Sequence, residues 1–152
     1  MPAPLSLSLK GRALKYLAAR EHSRSELTRK LAPHATSADD LDAVLDELAG
    51  KGFLSEERFV ASVVHRRAAG HGLARIRQEL SLKGITADQM RETLEALQPS
   101  ELARAHAVWS RRFGSPATDP REHGRQMRFL MARGFSADTV RRVLKGEGTE
   151  VS

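Results

Sequence analysis

The chain has 152 residues, 25 Lys+Arg against 19 Asp+Glu, a net charge of +6 and a pI near 10.3; its aromatics are one Trp, one Tyr and five Phe. That length allows one small domain or a short array of repeats and excludes a large α/β barrel, while the lack of Cys excludes disulfides, Cys-based zinc sites, iron–sulfur clusters and a thiol nucleophile. No run approaches the ~20 apolar residues of a membrane span, and MPAPLSLSLK lacks the basic start of a secretory signal, so a cytoplasmic protein is expected.

Helical periodicity dominates in chain order, and no segment alternates as a strand would. Ala13, Leu14 and Leu17 share one face. Ser23 and Glu26 form an S-x-x-E capping box, and Pro33-His34-Ala35 closes the helix that follows. Ser37 precedes the stripe Leu41, Val44, Leu45, Leu48. Ser55 precedes FVASVV (59–64), whose apolar pairs suit a helix better than a strand. Leu73, Ile76 and Leu80 make the next stripe; Thr86 with Gln89 is a second box, ahead of Met90, Leu94 and Leu97. Ser100 reads as the cap of the stripe Leu102, His106, Trp109, Phe113. The Pro/Gly-rich segment 114–124 reads as a flexible connection. Met127, Leu130 and Met131 continue the apolar pattern. Ser136 then caps the group Val140, Val143, Leu144, and a frayed tail is expected over 146–152. Acids in the first turns, such as Glu56, Glu57, Glu101 and Asp138, suit the positive end of the helix dipole better than paired acid–base chemistry.

Lys51-Gly52-Phe53, Lys83-Gly84-Ile85 and Arg133-Gly134-Phe135 share one design. A cation faces the negative helix end, Gly supplies the left-handed residue, and the apolar residue after it can pack back. Residues 73–94 also align with 122–144 at an offset of 50, and the segment from Leu31 aligns with that from Leu80 at an offset of 49. The unit is three helices in about 48 residues, too small to be secure alone. The expected fold is all-α, an elongated or curved array of three tandem three-helix repeats with about nine helices. Its divisions are an N-terminal segment 1–8, repeats 9–52, 53–99 and 100–145, and a tail 146–152.

Taken together, SRSELTRKL (23–31), KGFLSEERFV (51–60), RRAAGHGLARIRQELSLKGI (66–85) and RGFSADTVRRVL (133–144) resemble the RecX regulatory protein family, in order and over roughly 9–145. The resemblance implies a non-enzymatic protein that binds the RecA recombinase filament on single-stranded DNA. It also implies modulation, most often inhibition, of ATP hydrolysis and strand exchange in homologous recombination and the DNA-damage (SOS) response. No cofactor and no membrane is implied, and a monomer is expected.

The candidate contact residues come from charge. The last third of the chain, residues 100–152, carries 10 basic and 6 acidic side chains, whereas each earlier third is nearly balanced. Arg66, Arg67, Arg111 and Arg112 end matching helices, where they could meet phosphate or acidic protein surface, or merely offset the helix dipole. Arg75 and Arg77 flank Ile76. Arg125, Arg128, Arg133, Arg141 and Arg142 read as the densest cationic group. The aromatics read chiefly as core, with Phe129 the least settled. The six His lack metal-ligand spacing, and no nucleophilic motif occurs. The competing reading is a stand-alone nucleic-acid-binding module of helix-turn-helix type, with 137–145 as its recognition helix.

Overall fold

The computed structural model describes residues 7–148, which form nine α-helices and no strand. These are α1 (Leu9–Ala19), α2 (Arg24–Leu31), α3 (Ala38–Gly50), α4 (Glu56–Arg67), α5 (Leu73–Leu82), α6 (Ala87–Leu97), α7 (Glu101–Arg112), α8 (Pro120–Ala132) and α9 (Ala137–Leu144). Each successive triplet encloses its own core. Leu27, Leu31, Leu41, Leu45 and Leu48 fill the first; Phe59, Val63, Ile76, Leu80 and Met90 the second; Ala105, Leu130, Phe135, Val140 and Val143 the third.

The local signals account for the helix ends. Both capping boxes form, Ser23 with Glu26 and Thr86 with Gln89, and Ser37, Ser55 and Ser136 each accept an N–H of the first turn. Pro33 lies in a 3₁₀ turn over Ala32–His34 that closes α2 in place of a Gly ending. Gly52, Gly84 and Gly134 all have φ near +85° (83, 81 and 93), and the N–H of the residue after each glycine bonds back to the Leu48, Leu80 or Leu130 carbonyl. Ile85 and Phe135 then pack inward; Phe53 stays half exposed, and Leu54 enters the first core instead.

Four expectations are corrected. Ser100 does not cap α7, because the 3₁₀ turn Gln98–Ser100 leaves its backbone helical and its hydroxyl bonded to the Leu97 carbonyl. The break read over 114–124 is shorter: Pro120 sits at the first helical position, capped by Asp119, and α8 takes in everything from there, Gly124 included. Met127 and Met131 are not core; only Leu130 between them is buried. The start of the tail is not frayed: the Glu147 N–H bonds to the Arg142 carbonyl, and a Cβ on Gly148 would touch His106. Residues 149–152 lie outside the described residues.

The repeats are joined twice by one device. The free N–H groups opening α2 and α5 need acceptors, and each finds a carboxylate from the following repeat. Glu56 accepts from the Arg24 N–H at 2.7 Å, and Glu101 accepts from the Leu73 N–H at 3.1 Å. Glu101 is buried and also accepts from the Thr139 hydroxyl at 3.2 Å, tying α5, α7 and α9 together. The glycine turns dock on the same helix starts. A Cβ at Gly84 would stand 2.6 Å from Ser25 Cβ, and one at Gly134 would stand 2.4 Å from Arg75 Cβ. At the second joint the Gly72 N–H donates to the Arg133 carbonyl at 2.8 Å and the Ala74 N–H to that of Gly134 at 3.2 Å.

The accessible surface is 9748 Å². A compact chain of this mass would expose about 7,700 Å². The excess fits an elongated array with three small cores.

Candidate functional site

The second joint collects cations from both of the repeats it connects. Residues 68–72 run from the end of α4, past the turn after α8, to the start of α5. Arg111, at the end of α7, donates to the Ala69 carbonyl at 3.0 Å, and Arg75, in the first turn of α5, donates to the Ala132 carbonyl at 3.2 Å. Arg104 holds the segment from the other side, donating to the Ala68 and His71 carbonyls at 2.8 and 2.6 Å. Carbonyls at helix ends carry the negative end of the dipole, so arginines are the natural donors there.

Aromatic rings position two more. Phe113 and Phe129 meet edge to face with centroids 5.4 Å apart. The Arg112 and Arg133 guanidiniums lie 5.5 and 5.1 Å from the Phe129 centroid. Two clefts open on this region. One of about 480 Å³ is lined by Arg67, His71, Arg75 and Glu79 among others, and one of about 310 Å³ by Gly70, Arg111, Arg112, Phe129 and Arg133.

Among the described residues, Arg67 alone of Arg67, Arg75, Arg111, Arg112 and Arg133 has a carboxylate partner, Glu79 at 3.1 Å. The uncompensated charge is felt by His71. Its pKa lies below the ordinary value, chiefly through burial, with Arg133, Arg67 and Arg75 pushing the same way against the Arg67 carbonyl. Its Nδ1 is buried without a hydrogen-bond partner.

The first joint docks its glycine turn on a helix start in the same way, without the two backbone bonds of the second, and has the opposite balance. In the repeat alignment Glu26 stands where Arg75 stands, and Lys83 where Arg133 stands. Burial alone would raise the Glu26 carboxyl. Its hydrogen bonds from Arg20 and the Ser23 N–H, and the charges of Arg20 and Lys83, outweigh burial and hold it at about 2. One joint is a neutralised ion cluster; the other is an open cationic face.

The structure thus brings together Arg67, Arg75, Arg111, Arg112 and Arg133, with Arg66 exposed beside them at the end of α4. Arg125 touches the edge of this group, 5.8 Å from the Phe113 centroid, while pairing with Glu122. Arg77 lies apart, in a cleft with Arg91 between α5 and α6. The dense third-repeat group expected from sequence is split. Arg141 pairs with Asp138 at 2.8 Å, Arg142 pairs with Glu147 at 3.1 Å, and Arg128 borders a different groove on α8. Only Arg133 of that group turns to the joint, because it ends α8 where α8 meets α5.

Sequence reasoning missed Glu101, Arg104, His71 and the Phe113–Phe129 pair. One signal was available: His22 and His71 fall 49 residues apart, in register with the repeat, and Glu56 and Glu101 open matching helices.

Among the described residues no helix is long and apolar enough to cross a membrane. Three family models match the chain, described as RecX, first three-helix domain (residues 10–48), second three-helix domain (55–94) and third three-helix domain (100–144). A protein of Leptothrix cholodnii named regulatory protein RecX is 66% identical over 139 residues, covering 91% of this chain and 88% of its own. One of the same name from Ralstonia nicotianae is 55% identical over 140 residues, covering 92% and 88%. A crystal structure of RecX from Lactobacillus salivarius superimposes with a TM-score of 0.72 at 20% identity, covering 91% of this chain and 93% of that one.

Proposed function

The chain belongs to the RecX family of regulatory proteins, and on that premise we propose that it is a non-enzymatic inhibitor of RecA recombinase filaments on single-stranded DNA. It lies along the filament, spans more than one protomer, and so hinders ATP-coupled changes and strand exchange in recombination and the DNA-damage response. It works in the cytoplasm and needs no cofactor.

One observation supports this reading above the others: Arg67, Arg75, Arg111, Arg112 and Arg133, from two joined repeats, converge on the second joint, and among the described residues only Arg67 of them has a carboxylate partner. A stiff, elongated surface with a cationic face suits a filament that presents protein and phosphate side by side. Protein contacts give specificity, and the arginines give a salt-dependent attraction.

The test is to add the chain to RecA on single-stranded DNA and follow ATP hydrolysis and strand exchange. Both should fall at stoichiometric protein. No effect, together with tight sequence-specific duplex binding, would favour the stand-alone helix-turn-helix reading instead. Against that alternative, the two arginines of α9 already face Asp138 and Glu147. Replacing Arg75, Arg111 and Arg133 by Ala should reduce the salt slope of filament binding by roughly two to three.

We also infer a monomer. Repeat 1 has Pro33-His34-Ala35 where the other repeats have the docking glycine, and Leu9 where they have Glu56 and Glu101. It therefore lacks both parts needed to seat on a second copy. Light scattering that returns a concentration-dependent oligomer would overturn this.

A further inference from the structure

Repeats 2 and 3 carry the same groove between their second and third helices, but its lining differs. In repeat 2 it holds Arg77, Ser81, Ala87 and Arg91. The matching positions of repeat 1 are Thr28, Ala32, Ala38 and Asp42. In repeat 3 they are Met127, Met131, Ala137 and Arg141, with Arg128 at the rim, and the groove measures about 320 Å³. The two methionines stand one turn apart on α8 and are 37% and 45% exposed. Folding explains Leu130, which is wholly buried between them; it does not explain two large apolar side chains left partly exposed along the same groove.

We propose that this groove is a docking site for an amphipathic segment of a protein partner, one that presents apolar side chains a turn apart with carboxylates beside them. Methionine is suited to the task, since its unbranched, polarisable chain adapts to a partner's surface. Charge complementarity selects the flanks. Arg128 has no acidic partner among the described residues, and its guanidinium is laid back along α8, 3.0 Å from where a Cβ on Gly124 would be. Arg141 borders the other wall and holds only an exposed ion pair with Asp138. An acidic side chain at the rim would meet Arg128 without displacing anything. Phosphate would gain nothing from the apolar floor, so the occupant is protein and not nucleic acid.

This inference rests on the reading above that the chain binds a protein filament, and the experiment separates the two. The full-length double variant Met127→Ala, Met131→Ala and the single variant Arg128→Ala are compared with the unaltered chain for binding to RecA filaments on single-stranded DNA. Binding to free single-stranded DNA and thermal unfolding are measured alongside. Because both methionines are partly exposed and lie outside the buried core, the double variant should stay folded, with at most a small fall in unfolding temperature. It should bind the filament at least about tenfold more weakly with an unchanged salt slope, and free DNA equally well. Arg128→Ala should weaken filament binding and lower its salt slope. If the unaltered chain does not bind the filament, the filament reading and this one both fall. If it binds and the methionine variant binds equally, only the groove assignment falls. Equal losses on filament and free DNA would make the occupant nucleic acid and overturn the proposal.

Discussion

Replacing Gly72 by Ala isolates the second joint, because the backbone there asks for nothing special. Gly72 has φ −86° and ψ 171°, which any residue adopts. By itself the change should stabilise the chain by ~0.4–1 kcal/mol, through the narrower unfolded ensemble. The added Cβ, however, would stand 2.4 Å from the Gly134 oxygen and 2.5 Å from the Gly134 carbon and the Phe135 nitrogen. All three are backbone atoms held by the turn after α8, so none can swing away. Contact near 3.5 Å requires the turn to retreat by ~1 Å. That would stretch the bonds from Gly72 and Ala74, now 2.8 and 3.2 Å, toward or past the useful limit. Each stranded N–H costs ~1–3 kcal/mol, so that after the gain above the net loss is about 1–5 kcal/mol. Urea unfolding gives the stability, and hydrogen exchange at the amides of residues 72 and 74 locates the change. The same variant should bind filaments less tightly, since Arg75 and Arg133 would no longer share one face. A Gly72→Ala chain as stable as the unaltered one, with both amides still protected, would refute this account of the joint.

Gly124→Ala is the contrasting case: it sits inside α8, its Cβ would meet only the mobile end of Arg128, and urea unfolding should show stabilisation of ~0.5–1 kcal/mol. Glu101→Ala strands the Leu73 N–H and the Thr139 hydroxyl at once, and denaturation should show a loss of about 2–4 kcal/mol, partly restored in Glu101→Gln, which keeps an acceptor. The Glu26 carboxyl lies at about 2 in the folded chain, below its ordinary 4.5, so its contribution is complete above pH 4.5 and is lost as pH falls toward 2. That contribution is on the order of 2–3 kcal/mol; acid titrations of stability should therefore be flatter over this range for Glu26→Gln, and an unchanged slope would contradict the ion cluster at the first joint.

Much of the fold was legible because its signals are local. Ser23 with Glu26, Thr86 with Gln89, and the glycines at 52, 84 and 134 act within one helix end. The stripes Leu41–Leu48 and Leu73–Leu80 repeat at the helical period wherever a face is buried. The offsets of 49 and 50 then made the number of units countable. Where periodicity misled, at Met127 and Met131, the reason is also physical. An apolar residue looks the same in sequence whether it faces its own core or an outside groove.

The sequence by itself determined the helices, their caps, the three units and the excess of positive charge, all properties that a residue and its near neighbours carry. The tertiary structure alone decided which charges meet. Arg75 and Arg133 are 58 positions apart, yet they share a face because Gly72 and Gly134 let two backbones approach within hydrogen-bonding distance. Arg141 and Arg142 pair with Asp138 and Glu147 on the exposed surface of the third repeat. Electrostatic fields sum over distance and not over sequence, so the cationic face of this array is set by the joints.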